Sequence, residues 1–448
     1  MTKYETIVTD LKKAITDGKI KPGGKLPSIR KVCDQFACSK VTAVKAFDLL
    51  ENEHFIYSVP QSGHYLITKP PAAASESKDN VINFATLAPD EHLLPFADLQ
   101  HCLSKAFDYY KKDLFSNVYG RGLPGLIQAV GKQLQDYQVF TAEQNIMITS
   151  GTQQAINILS GMPFPNGHNN VLIEQPTYFG AIQSLEMNKV KAIGIPRTKA
   201  GINFDELERL CRDGDIKFFY IIPRFHNPGG FSYSNHEKKQ ILKLAEKYDL
   251  YLVEDDYLAD LEVDSKADPL FALDTSGRVI YLKSYSKVVV PGLRIAAVVL
   301  PPNLTATFEN YKRWSDLNTS VLSQGTLEIY IRSHLYDVHT KRLKKIYRHR
   351  MGYLKQVTGN CSCDGLQWYI PSSGLVASLK IPSPFHIEGL IKKLKNKNVL
   401  LEDTAPCFLS SYLNPRFLRL SVSRVNDGQI KRGIALIDQE TKINSEGI

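Results

Sequence analysis

Two stretches decide how this chain folds: LYLVEDDY at residues 250–257 and RVIYLKSYSK at residues 278–287. Each begins as a short apolar run and ends abruptly in charged or hydroxyl-bearing residues, as expected of a buried strand that leads into a loop. Amphipathic helical patterns, such as residues 236–248, separate runs of this kind along the chain. Strands that alternate with helices predict an α/β domain with a mostly parallel sheet. The strands predicted in this way cover residues 145–149, 170–174, 217–222, 250–254 and 278–282.

The α/β pattern begins near residue 81 and follows a segment of different composition. Residues 69–80 read KPPAAASESKDN, a run of proline, alanine, serine and charge that cannot build a core and therefore predicts a linker. The chain has 448 residues, of which 43% are hydrophobic and 23% charged, which is enough for more than one globular domain. We expect domains at residues 1–68 and 81–448.

Residues 1–68 follow the order of a winged helix-turn-helix. A helical pattern covers residues 4–17, and Ser28 and Ser39 each precede a further helix that they can cap. Two β-like runs on either side of residues 60–63 then predict a hairpin wing. The residues expected to face inward from the last helix are Val41, Val44, Phe47, Leu49 and Leu50.

The first 70 residues are also basic. They contain 11 Lys and Arg residues against 7 Asp and Glu residues, so +4 of the net charge of +9 lies in less than a sixth of the chain. Concentrated positive charge favours a polyanionic partner, although a solvated protein surface has a similar composition. A small helical interaction domain with ordinary helix caps is the alternative to nucleic-acid binding.

The motifs of this segment favour nucleic acid. The stretch LPSIRKVCDQFACSKVTAVKAFDLLENEHFI at residues 26–56, followed by SGHYL at residues 62–66, resembles the winged helix of the GntR family. That resemblance implies promoter DNA as the partner, with hydroxyls, helix N-termini and basic side chains on phosphate, the last helix in the groove, and the wing tip on the minor groove or backbone. The DNA contacts that it implies are Ser28, Arg30, Ser39, Lys40, Thr42, Lys45, Gly63 and His64.

The chain from residue 81 to residue 437 resembles fold-type I enzymes that depend on pyridoxal 5′-phosphate (PLP), the aspartate aminotransferase class. SYSK at residues 284–287, followed by Arg294, matches the family pattern S-x-S-K-x(5–6)-R. The resemblance implies that Lys287 forms the Schiff base with PLP, and that Ser284, Ser286 and Arg294 contact the phosphate.

Two further motifs supply the groups that the PLP ring requires. By resemblance, Asp255 in VEDDY pairs with the pyridinium nitrogen N1, and Tyr257 donates to the ring oxygen O3′. Asn227 in the sequence HNPGG matches the family motif N-P-x-G and is the second partner of O3′. Arg224, just before this motif, is a charge without an assigned role.

The remaining cofactor contacts come from residues earlier in the chain. The sequence SGTQQ at residues 150–154 lies between a predicted strand and a helix, where backbone N–H groups and the helix dipole bind phosphate. In the sequence PTYFG, Tyr178 matches the aromatic residue that lies on the ring face, with Phe179 as the alternative. The phosphate contacts implied here are Gly151, Thr152 and Gln153.

Two positions bear on the ligand and on assembly. Arg419 in FLRLS matches the arginine that receives the carboxylate of an amino acid, a bidentate pairing that suits a guanidinium. Tyr119 matches the tyrosine that reaches the phosphate of the neighbouring subunit, which implies a homodimer. Arg121 stands where this family usually has an aspartate, so the local loop differs.

A GntR-type winged helix joined by a linker to an aminotransferase-like domain is the architecture of the MocR subfamily of regulators. The resemblance implies a PLP-binding, DNA-binding transcription regulator. Such a protein senses an amino compound, or PLP itself, through an aldimine at Lys287 and changes its promoter binding. The alternative is a catalytically active aminotransferase with an accessory DNA-binding domain, since the residues needed for transamination are all present.

The seven cysteines do not predict a metal site. Cys33 and Cys38, or Cys361 and Cys363, are spaced like ligand pairs but lack the further His or Cys residues of a zinc site. We interpret them as free thiols of a cytoplasmic protein. The sequence shows neither a signal-peptide pattern nor an apolar run long enough to span a bilayer.

Overall fold

A computed structural model of the chain describes residues 2–21, 23–52, 55–59, 63–66, 81–116, 118–264, 266–359, 366–381, 386–412 and 417–445. The chain divides into two compact units, Met1–Asn80 and Val81–Ile448. The predicted linker and the predicted hairpin turn at residues 60–62 lie outside the described residues.

The N-terminal unit has the helix and strand order of a winged helix. Its elements are α1 (Lys3–Thr16), α2 (Ile29–Phe36), α3 (Lys40–Asn52), β1 (Ile56–Val59) and β2 (Gly63–Leu66). Strands β1 and β2 form a two-stranded antiparallel sheet. The core between these elements contains Ile7, Leu11, Leu26, Val32, Ala43, Ala46, Phe47, Leu50, Ile56 and Leu66.

Helices α2 and α3 begin where the sequence predicts. Ser28 Oγ accepts a hydrogen bond from the Lys31 backbone N–H at 3.2 Å, and Ser39 Oγ accepts one from the Thr42 backbone N–H at 3.2 Å. Both serines are therefore N-caps. The prediction that Val41 faces inward is wrong, because Val41 is 78% exposed. It lies two residues before Ala43, about 200° around the helix, and Ala43 is on the buried face.

The C-terminal unit alternates strands and helices over its first two thirds. Its strands are β3 (Ile82–Asn83), β4 (Ile146–Thr149), β5 (Asn170–Gln175), β6 (Ala192–Pro196), β7 (Ile216–Ile221), β8 (Tyr251–Asp255), β9 (Val279–Ser284), β10 (Ala296–Val299), β11 (Gln367–Tyr369), β12 (Val376–Lys380), β13 (Val399–Leu400) and β14 (Phe417–Ser421). Its helices are α4 (Phe96–Tyr109), α5 (Pro124–Gln135), α6 (Thr152–Gly161), α7 (Phe179–Met187), α8 (Phe204–Asp213), α9 (Asn235–Lys247), α10 (Leu270–Leu273), α11 (Pro302–Asp316), α12 (Val321–Arg332), α13 (Leu335–Thr358), α14 (Ile387–Asn396) and α15 (Asp427–Ser445).

A seven-stranded sheet organises the described part of this unit, in the order β4-β10-β9-β8-β7-β5-β6. Strands β6, β5, β7, β8 and β9 are parallel, and β10 runs antiparallel to both β9 and β4. Since β4 and β9 both oppose β10, they point the same way. The carboxyl ends of six strands therefore meet at one edge, where sites of α/β proteins form.

A smaller sheet, β11-β12-β14, has its own hydrophobic core with helices α13 to α15. In its register Ser378 is opposite Arg419. Ser378 Oγ donates to the backbone oxygen of Gly229 at 2.8 Å, which ties this sheet to the loop that follows β7. Arg419 is thereby held beside the edge of the large sheet.

Candidate cofactor-binding site

A cavity of about 390 Å³ lies at the carboxyl edge of the large sheet. It collects residues that are separated by more than 250 positions along the chain, because the strands of the large sheet end side by side and Arg419 of β14 lies beside that edge. The predicted site residues in its walls are Thr152, Gln153, Tyr178, Asn227, Asp255, Tyr257, Ser284, Ser286, Lys287, Arg294 and Arg419.

Lys287 follows β9 and lines this cavity. Burial lowers the pKa of its amine to about 8; the positive charges of Arg419 and Arg294 act in the same direction and Asp255 opposes them. A lysine with a lowered pKa is neutral, and therefore nucleophilic, in a larger fraction of molecules at neutral pH. The environment suits an amine that must attack an aldehyde.

Asp255, the last residue of β8, is a buried carboxylate with one oxygen left free. Tyr220 OH donates to its Oδ2 at 2.6 Å, whereas its Oδ1 is buried and has no hydrogen-bond partner among the described residues. Burial raises the pKa of Asp255 to about 6, and the Tyr220 hydrogen bond opposes that rise. An unpartnered buried oxygen is costly unless a ligand supplies a donor, and a protonated pyridinium nitrogen is such a donor.

Gly151 and Arg294 form an anion-binding corner at the start of α6. Gly151 has a φ of +85°, and a Cβ at this position would lie 2.6 Å from Arg294 Nη2. Only glycine allows both this backbone conformation and the close approach of the guanidinium. With the N-terminus of α6, the arrangement fits a phosphate group.

Asn227 and Tyr257 have partners that distinguish their roles. Asn227 Oδ1 accepts from Arg419 Nη1 at 3.1 Å, and no described residue accepts from its amide nitrogen. Tyr257 OH donates to the backbone oxygen of Phe225 at 2.8 Å. The Tyr257 hydroxyl proton, which was predicted to bind O3′, thus binds the backbone, while the Asn227 amide remains available to the cavity.

Tyr178 and Phe179 both line the cavity, with their rings in an edge-to-face contact 5.1 Å apart. Tyr178 is the less exposed of the two, and its position on the ring face stays a prediction. The Gln153 amide nitrogen instead donates to the Gly180 backbone oxygen and to Ser184 Oγ, both at 2.9 Å. Gln153 therefore fixes α7 to α6, which the sequence did not indicate.

Arg419 is almost fully buried, and its guanidinium is already occupied. Besides Asn227, it donates to the backbone oxygen of Ala85, and it forms an ion pair with Glu402. Glu402 also lines the cavity. Sequence reasoning missed Glu402, because no motif contains it and its β13–β14 loop looks ordinary.

Tyr119, a predicted contact of the cofactor phosphate, does not line this cavity. Its hydroxyl donates to Asp113 Oδ1 at 2.5 Å, and it lines a separate cleft with Arg121, Glu309 and Arg313. Its predicted role toward a neighbouring subunit stays a prediction.

Arg224, which had no assigned role, has a structural one. Its Nε donates to Asp256 Oδ1 at 3.1 Å and its Nη1 to the Ala267 backbone oxygen at 2.8 Å, and both side chains of the ion pair are buried. The pair orients Asp256 away from the cavity, next to Asp255, which faces it.

In the N-terminal unit, Ser28, Arg30, Ser39, Lys40 and Lys45 are exposed. The ammonium of Lys45 lies 4.3 Å above the ring of Tyr4. Two other predicted DNA contacts have side-chain neighbours within this unit. Thr42 Oγ1 is 2.9 Å from Ser39 Oγ, and the His64 ring lies 4.5 Å from that of Phe47. Gly63, with a φ of +115°, pairs with Val59 where the wing begins.

Two family models match the chain. One, described as aminotransferase class I and II, matches residues 95–437, and another, described as bacterial regulatory proteins of the gntR family, matches residues 3–66.

Among the helices that the structure describes, none is sufficiently long and apolar to cross a bilayer.

Both transcription regulators and aminotransferases are similar to this chain. The uncharacterized HTH-type transcriptional regulator YcxD of Bacillus subtilis is 43% identical over 443 residues, covering 98% of this chain and 99% of the relative. The regulator YdcR of Escherichia coli is 29% identical and covers 77% of this chain and 79% of its own length. Kynurenine aminotransferase of Pyrococcus horikoshii, solved in complex with PMP, has a TM-score of 0.75 at 26% identity, covering 82% of this chain and 91% of that chain.

The chain therefore belongs to the aminotransferase class I and II family, whose members depend on PLP, and its fold is that of a fold-type I aminotransferase. More particularly, it is a transcription regulator of MocR-like architecture, in which a GntR-type helix-turn-helix domain precedes that fold. The predicted fold class is confirmed.

Proposed function

We propose that this regulator binds PLP covalently through Lys287 and senses an amino compound, or PLP itself, by a change in its binding to promoter DNA. The observation that carries this proposal is the cavity. It places a buried amine next to a buried carboxylate with a free oxygen, and next to a glycine–arginine corner that fits phosphate.

Each of these groups has a separate task. The Lys287 amine holds the cofactor, Asp255 keeps a proton on the ring nitrogen, and Arg294 with the α6 N-terminus holds the phosphate. When bound, PLP supplies an aldehyde carbon that bonds reversibly to amines, together with an electron-withdrawing ring. The protein's own residues therefore provide binding and orientation for a ligand that carries an amino group.

The DNA contacts are proposed for the N-terminal unit. Arg30 and Lys40 are exposed near the N-termini of α2 and α3, where a cation and backbone N–H groups can share one phosphate. We propose α3 as the helix that enters the major groove. The regulator would act as a cytoplasmic homodimer, to which Tyr119 contributes at the subunit boundary.

Covalent capture tests the cofactor proposal. Full-length protein incubated with PLP should show a visible absorption band, and borohydride reduction should fix the label on the peptide that contains Lys287. Lys287→Ala should lose the band and the label, whereas Lys191→Ala, at an exposed lysine, should keep both. A colourless wild-type protein, or a label on another lysine, would reject the proposal.

A further inference from the structure

The guanidinium of Arg419 faces the cavity with a carboxylate of the same chain already beside it. It pairs with Glu402 and donates to Asn227 Oδ1 and to the Ala85 backbone oxygen. Among these three acceptors, only Glu402 carries a charge. A ligand carboxylate that approaches Arg419 therefore meets an anion in the position that it would itself occupy.

The backbone fixes this contact. Glu402 and Arg419 form an antiparallel bridge between the segment after β13 and strand β14. Directly opposed residues in such a bridge project their side chains to the same face, with Cβ atoms about 5 Å apart. The register therefore brings the Glu402 carboxylate within reach of the guanidinium, and the two side chains form an ion pair.

The two partners differ in burial. The side chain of Arg419 is 5% exposed and that of Glu402 is 33% exposed. Arg419 is further held by Asn227 and Ala85, whereas Glu402 can rotate into water, where its charge is solvated at little cost. If one member of the pair moves away, it is Glu402.

We infer that Glu402 is a specificity-determining residue that competes with the carboxylate of the effector for Arg419. This inference rests on the proposed function and refines it. A carboxylate-bearing amine exchanges one anion for another at Arg419 and must displace Glu402, whereas an amine without a carboxylate leaves the pair intact. Glu402 thus lowers the affinity for amino acids as a class and does not affect simple amines.

The test compares two probes and two variants on the PLP-loaded, full-length protein. L-alanine and ethylamine differ by the carboxylate alone, and the change in the visible band gives the affinity for each. Glu402→Gln keeps the shape of the side chain and removes its charge. Asp403→Asn removes the same charge one residue further along, on an exposed side chain whose Oδ1 accepts from the Ala405 backbone N–H.

We expect Glu402→Gln to bind L-alanine about tenfold more tightly than wild type, since a charge-assisted pair no longer has to be broken. Its affinity for ethylamine should equal that of wild type, and Asp403→Asn should match wild type with both probes. Equal affinities of Glu402→Gln and wild type for L-alanine would overturn the inference, as would no response of Glu402→Gln to saturating L-alanine.

Two readouts separate this inference from the proposal on which it rests. If wild-type protein gains no visible band with PLP, the proposed function fails, and the inference about Glu402 fails with it. If Glu402→Gln keeps the visible band of wild type but its affinity for both probes rises by the same factor, the cofactor proposal stands and the inferred competition for Arg419 is wrong. An unchanged band in the variant also shows that the site is folded.

Discussion

The cavity of the C-terminal unit and the exposed face of the N-terminal unit illustrate two ways of presenting charge. In the cavity, burial shifts the pKa values of Lys287 and Asp255, and specific partners hold Asp255 and Arg419. On the N-terminal unit, Arg30 and Lys40 are exposed. Buried groups act through fixed geometry, whereas exposed ones act through screened, salt-dependent attraction. Changes in the cavity should therefore have large effects, and changes on the surface small ones.

The largest effect is expected at Asp255. Asp255→Asn retains the shape of the side chain but removes the charge that balances a protonated ring nitrogen. Breaking a buried charge pair costs roughly 3–5 kcal/mol, so PLP affinity should fall by about a hundredfold or more in an absorbance titration. Asp205→Asn, an exposed control, should bind PLP as wild type does. Normal affinity of Asp255→Asn would remove Asp255 from the site.

A smaller effect is expected at Gly151. Gly151→Ala places a Cβ on Arg294 Nη2, and losing one charge-assisted contact to phosphate should weaken PLP binding about tenfold. Gly167→Ala is a matched control, because Gly167 has a φ of +71° but no atom near its ideal Cβ. It also has a positive φ but lacks the contact. Equal losses in the two variants would mean that the contact with Arg294 is not responsible.

The lowered pKa of Lys287 predicts a particular pH dependence. Below about 8 the amine is mainly protonated and cannot attack an aldehyde, so the rate of PLP capture should rise about tenfold per pH unit up to that value and then level off. A lysine with its usual pKa would keep gaining rate to above pH 10. Stopped-flow absorbance over pH 6–10 measures the position of the plateau, and a continued rise beyond pH 9 would contradict the burial argument.

The smallest effect is expected on the exposed face. Arg30→Ala should weaken promoter binding only several-fold and lower the salt dependence of log K by about one unit, as one phosphate contact is lost. Lys13→Ala, an exposed lysine on α1, removes the same charge from a helix that carries no predicted contact. The two variants should differ in salt slope when fluorescence anisotropy is measured over a range of salt concentrations; equal slopes would argue against the assigned orientation on DNA.

The sequence predicted the fold well where local signals and packing agree. The apolar runs within residues 250–257 and 278–287 form β8 and β9. Ser28 and Ser39 cap the helices that they were expected to cap. Val41 was misplaced, because apolar character alone does not decide which face of a short helix is buried.

The site was less completely predictable. Motifs located Lys287 and Asp255, since each lies at or just after the end of a strand that is readable from the sequence. Tyr220 and Glu402 were missed, because their contacts depend on strand neighbours and on register across loops. Those contacts exist only once the sheets have assembled, and no spacing along the chain encodes them.

The central claim is that ligand binding at Lys287 and DNA binding are linked. The most direct measurement is a visible-band titration of the PLP-loaded protein with a panel of amino acids and simple amines, with and without promoter DNA. For a true effector, DNA should change the affinity for the amine by the same factor by which the amine changes the affinity for DNA. Amine affinities that are identical with and without DNA, for every compound that shifts the band, would contradict the account.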